Sequence, residues 1–191
     1  MALTARASLT HWARPITVAV WPAVLVGWPR RVLDIARGRC AMHSVHDIAA
    51  YILQRRGTMT AMKLQKLVYY AQAWSLALRG RSLFREEIQA WAYGPVVYEL
   101  FKQHRGQFAV AAWPFGDPGR LRADEAAFVN AVVGHYGAFD GAELSELSHA
   151  DGPWLDARTG LPQGTRCARA ITREVMRSFY SQRQPPFQLA P

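Results

Sequence analysis

Ser145, His149 and Asp151 lie close together in the chain, and these residue types carry out nucleophilic acyl transfer in many enzymes. Their spacing argues against that chemistry. Ser145 and His149 are four apart on one helical stretch, and no Gly-x-Ser-x-Gly elbow presents the hydroxyl. Proximity along the chain is not triad geometry. His149 reads instead as a capping or buried hydrogen-bonding group ahead of a helix that Pro153 opens. His43 and His46 fall on one helix face, but no carboxylate or cysteine cluster completes a metal site. Neither Cys-x-x-Cys nor His-Glu-x-x-His occurs. Gly57, Gly80 and Gly94 are scattered rather than gathered into a phosphate loop, so no cofactor is expected. The residues point away from an enzyme.

Binding chemistry is better represented. From Lys63 to Trp74 the chain interleaves basic and aromatic residues at helical spacing. Leu64, Leu67, Val68, Ala71, Trp74 and Leu78 form one apolar face, and Lys63, Lys66, Tyr70 and Gln72 fall on the other. That mixture of charge and amphipathic ring suits a partner surface. Tyr69 and Tyr70 are adjacent and cannot share a helix face, so at most one is expected to point fully inward, with Tyr70 exposed. Trp74, Trp91 and Trp154 are large apolar bodies of the kind a helical core takes up, and their indole N–H groups need partners.

The elements that must position these residues follow from caps and breakers. Ser44 caps a helix to about Arg56, ended by Gly57, and Thr60 caps a second over about 62–79, stopped by Gly80. Between Leu83 and Tyr93, Ile88, Ala90 and Ala92 alternate with Gln89, Trp91 and Tyr93, which predicts a short strand or hairpin arm. The Tyr93, Gly94 and Pro95 turn is expected to start a helix, with Pro95 in its first turn and Gly106 closing it. A second short strand is expected over 108–113, and helices over about 123–137, 141–149, 153–158 and 171–182. The expected fold is mainly α: a single compact helical domain with a small β-hairpin or a short two- to three-stranded sheet.

Composition bounds the rest. A chain of 191 residues, half of them hydrophobic, can bury one proper core. The net charge is +9, but residues 1–41 hold six Arg and one Asp, so the remainder is only mildly basic. A strongly basic groove for nucleic acid is therefore not favoured. Two cysteines, Cys40 and Cys167, imply no disulfide framework and fit a reducing cytoplasm. The apolar run from Ile16 to Trp28, flanked by arginines, imitates a signal peptide. Pro22 interrupts it, it falls short of the roughly 20 residues of a membrane span, and it lacks a convincing cleavage site. No membrane partner is expected. Residues 1–41 read as an atypical extension, with Met42 as the natural start, followed by one domain over 42–182 and a flexible tail over 183–191.

Three ordered segments resemble a known family. Lys63, Leu64, Gln65, Lys66 and Leu67 lead to Tyr69, Tyr70, Ala71 and Gln72. Ile88, Ala90, Trp91, Tyr93, Gly94, Pro95 and Val96 follow, and then Leu144, Ser145, Leu147, His149, Pro153 and Trp154. The chain is identified from these as similar to the Panacea-domain, SocA-like antitoxins, over about residues 42–182. The resemblance implies an antitoxin that neutralises a cognate toxin protein by direct binding, often encoded beside it and often in prophages. It also implies a Clp protease as a further partner, because the SocA branch acts as a proteolytic adaptor. Such a protein needs aromatic anchors and a charged rim. Tyr70, Trp91 and Tyr93 are the expected anchors, and Lys63, Lys66 and Glu99 the expected rim. Trp74, Gly94, Pro95, His149, Pro153 and Trp154 are the structural motif residues. The alternative is a DNA-binding regulator using the last helix, with Arg173, Arg177 and Arg183.

Overall fold

The computed structural model describes residues 42–189. Helix α1, Val45–Arg56, begins at a capping box in which Ser44 and Asp47 satisfy each other's backbone N–H groups, and it ends at Gly57. Helix α2, Ala61–Arg79, starts where the Thr60 hydroxyl accepts the Lys63 N–H and stops at Gly80. Strands β2, Ile88–Trp91, and β3, Gly94–Val97, form a hairpin. Five more helices follow: α3 (Tyr98–His104), α4 (Ala123–Tyr136), α5 (Gly141–His149), α6 (Gly152–Ala157) and α7 (Arg173–Ser181). The fold is mainly α, with two small antiparallel sheets. One pairs β1, Met59–Thr60, with β4, Ala109–Val110, and the other has the order β3, β2, β5, where β5 is Ala170–Ile171. No described helix is long and apolar enough to cross a membrane.

Helix α2 is the axis of the packing. Helices α7, α5, α4 and α1 and strand β3 all lie against it. It is consequently buried on every side from Leu64 to Leu76, although amphipathic spacing predicts a wet face. Both Tyr69 and Tyr70 are inward, at 0% and 2% exposure, and Lys66 is 1% exposed, which corrects the expectation that Tyr70 and Lys66 face solvent. The period of one helix does not show how many neighbours surround it.

The polar residues of α2 hydrogen-bond the segments that wrap it. Gln72 Oε1 accepts the N–H groups of Leu83 and Phe84 at 2.7 and 3.3 Å, and its Nε2 donates to the Phe84 carbonyl at 3.0 Å. Gln65 pairs both ways with the backbone of Val97, and its Nε2 also lies 2.9 Å from His104 Nε2. Burial lowers the pKa of His104, which leaves its ring neutral and able to accept. The two amides thus behave like short pieces of strand inserted into a helix.

The hairpin departs from expectation at one point. Residues 94–97 are strand rather than the opening of a helix, and α3 begins at Tyr98. Pro95 is tolerated because β3 is an edge strand, where a missing N–H need not break a ladder. Likewise Ile171 pairs with Ile88 in β5, so the last helix starts two residues later than its expected bound. Helix α4 takes Arg122 as its N-cap, with Glu125 returning to the Arg122 N–H. Replacing Gln72 by Leu should strand three buried backbone groups around Phe84. We expect a loss of about 1–3 kcal/mol, read as a lowered urea midpoint; an unchanged midpoint would refute this account of the Gln72 contacts.

Candidate functional site

The β2–β3 hairpin is gripped from behind. Lys66 Nζ donates to the carbonyls of Tyr93, at 2.7 Å, and Pro95, at 3.2 Å. Ser145 Oγ, on α5, donates to the same Tyr93 carbonyl at 2.8 Å. Trp154 Nε1 reaches the carbonyl of Trp91 at 2.9 Å, and Arg158 Nη1 that of Ala90 at 2.9 Å, with the guanidinium over the Trp154 ring. Gly94 sits at the centre of this grip with φ +96. A Cβ there would come within 2.6 Å of Ser148 Oγ and 2.7 Å of Lys66 Cε, so the position needs glycine for both reasons. Ser145, one of the acyl-transfer candidates, is thus engaged with a backbone carbonyl.

Lys66 holds the hairpin as a poorly charged amine. Burial lowers its pKa to about 7, and backbone carbonyls are its hydrogen-bond acceptors. The sequence expectation placed it on a partner-facing rim, whereas the structure places it inside. His149, expected to cap or to bond, stacks on Trp154 with centroids 4.2 Å apart, and its Nε2 is buried without a hydrogen-bond partner among the described residues. Burial, then the nearby Lys66 and Arg158, lower its pKa, which favours a neutral ring. Tyr70 stacks on Tyr136 at 3.9 Å, and Trp74 Nε1 donates to the Tyr136 hydroxyl at 2.9 Å. Asp151 accepts the hydroxyl of Tyr180 from α7, and burial raises its pKa. Pro153 is buried in the first turn of α6.

The outward side of the hairpin is different. Trp91, Tyr93, Tyr98 and Phe101 line a groove of about 810 Å³ between the hairpin, α3 and the segment 166–168. Trp91 meets Phe101 edge-on with centroids 4.7 Å apart, and Tyr98 stacks on Phe101 at 6.2 Å. Tyr93 is 74% exposed although its carbonyl is fixed from behind. Of the expected anchors, Trp91 and Tyr93 are brought together here and Tyr70 is not. Glu99 is exposed on α3 and paired with Lys102 at 2.6 Å. Lys63 is half-buried elsewhere, its Nζ 2.8 Å from the Gly137 carbonyl at the end of α4. Sequence reasoning missed Tyr98, Phe101, Arg105 and Arg166.

Helix α7 carries Arg173 and Arg177 of the DNA-binding alternative, and Arg183 follows its end. Arg173 donates to the Arg85 carbonyl, and Arg183 lies over the Phe179 ring at 4.0 Å, so two of the three are engaged within the chain.

Residues 64–155 match the family described as antitoxin SocA-like, Panacea domain. The matched span runs from α2 to α6 and includes the hairpin and most of its grip. That match supports an antitoxin role and, in general terms, a protein partner. No curated protein and no solved structure matches the chain.

The lowered pKa of Lys66 has a signed consequence. Between about pH 7 and the ordinary lysine value of 10.5 the unfolded chain holds a proton that the folded chain has released. The penalty for burying the charged amine is therefore full below about pH 7 and relieved as pH rises through that window. We expect wild-type stability to rise relative to Lys66→Met between about pH 7 and pH 9. Parallel urea-midpoint profiles for the two proteins would refute this. Gly94→Ala should lower stability by about 1–3 kcal/mol from its backbone conformation alone, with more added by the contacts with Ser148 and Lys66. A thermal midpoint equal to wild type would contradict the proposed role of Gly94.

Proposed function

We propose that this chain is an antitoxin that neutralises a cognate toxin protein by direct binding, acting as a binding protein rather than an enzyme. The observation that carries the reading is the aromatic groove on the outer side of the hairpin, in a chain that matches this family over residues 64–155. Exposed aromatics clustered in a concavity are the usual anchors of protein recognition. Their backbone is fixed before any partner arrives. Little ordering is then required on binding, which favours affinity.

The test is to co-express the full chain with the protein encoded beside it and to score growth rescue and co-purification. Rescue with a stable complex supports neutralisation by binding. Rescue with disappearance of the neighbour, reversed when Clp protease is absent, supports the adaptor form of the same role. A toxic neighbour that is neither rescued nor bound overturns the reading. Within a confirmed pair, Tyr93→Ala combined with Tyr98→Ala should weaken binding by about 10- to 100-fold while far-UV circular dichroism stays unchanged. Wild-type affinity in that double variant would move the contact surface elsewhere.

A further inference from the structure

The groove has a charge bias as well as an apolar lining. Arg105, just after α3, and Arg166, on the facing wall, both line it. Neither is paired with a carboxylate among the described residues, and both are exposed. Lys102, one turn before Arg105, holds Glu99 instead. Arg158 is turned inward to backbone carbonyls. No carboxylate lines the groove among the described residues. An occupant that covers two unpaired guanidinium groups must replace their water with acceptors, and carboxylates do so in a matched fork geometry. A basic occupant would place like charges together at a cost of affinity.

We infer that the groove receives an acidic linear segment of the partner protein, with an aromatic or leucine side chain set among Trp91, Tyr98 and Phe101 and carboxylates on Arg105 and Arg166. A groove of about 810 Å³ suits a few side chains of such a segment rather than the face of a domain. The inference rests on the antitoxin reading, because the toxin is the partner that would supply the segment.

The probe is a set of three fluorescein-labelled peptides with the same phenylalanine and leucine positions and Glu, Lys or Ser at the others. Each is titrated by anisotropy against the full chain at low and high salt. The Glu peptide should bind at least about tenfold tighter than the Lys peptide, with the preference shrinking as salt rises. Arg105→Glu combined with Arg166→Glu should reverse the order while far-UV circular dichroism stays unchanged. Equal binding of the three, preference for the Lys peptide, or binding by none would overturn the inference. So would concentration-dependent self-association abolished by Tyr98→Ala, which would make a second copy the occupant. Toxin co-purification that persists in the charge-reversed variant sinks the inference and leaves the antitoxin reading standing. Failure of the wild-type chain to bind its toxin sinks that reading itself.

Discussion

From Leu64 to Leu76 helix α2 has no wet side, yet this length carries Gln65, Lys66, Gln72 and Ser75. A buried polar group without a partner is destabilising, so each of these must find its hydrogen bonds inside the protein. The backbone of the helix is already satisfied internally. The available partners are therefore the amides and carbonyls of the segments that wrap around it. Gln72 fixes Leu83 and Phe84, Gln65 fixes Val97, Lys66 fixes the hairpin turn, and Ser75 holds the carbonyl of Arg81 at 2.8 Å. A purely apolar helix could be buried as deeply, but it would leave the register of those loops free to vary.

From this follows the two-sided character of the β2–β3 hairpin. Its inner side is main chain held by side chains of α2, α5, α6 and Arg158, and its outer side is side chains held by that main chain. Fixing the carbonyl of Tyr93 with two donors leaves the ring free to meet a partner, so the anchor is placed without being covered. The family match ends at residue 155, whereas the wall of the groove at 166–168 lies beyond it. Arg158, which holds the Ala90 carbonyl and also donates to the Thr165 carbonyl at 2.8 Å, ties the grip to that wall.

The local grammar of the chain was readable, and its surroundings were not. Ser44 with Gly57 and Thr60 with Gly80 bounded two helices closely, because caps act on neighbouring backbone groups. The alternation over 88–91 likewise gave a strand with Ile88 and Ala90 inward. Lys66 and Tyr70 were misplaced for the opposite reason. Whether a helix has a solvent side depends on how many elements meet it, and seven do so here. Pro95 opens helices and also sits on edge strands, and only the pairing of Ala90 with Pro95 decides between the two. The groove was half legible. Trp91 and Tyr93 stood in one motif, but Phe101 and Arg166 join them through the fold alone.

The inner and outer sides of the hairpin also differ in their electrostatics. Lys66 binds carbonyls with a pKa near neutrality, so its hold on the turn needs no buried counterion. Pairing it with a carboxylate would instead have required two charges to lose their water, which often gives no net stabilisation. Hydrogen bonds of this buried, weakly charged kind are little affected by dissolved salt. Arg105 and Arg166 lie on the rim, where ions in solution screen them within about 8 Å at physiological ionic strength. The scaffold of the site and its attraction for a charged partner therefore respond to different conditions. Ionic strength weakens the attraction first, while the geometry that presents the aromatic anchors remains in place.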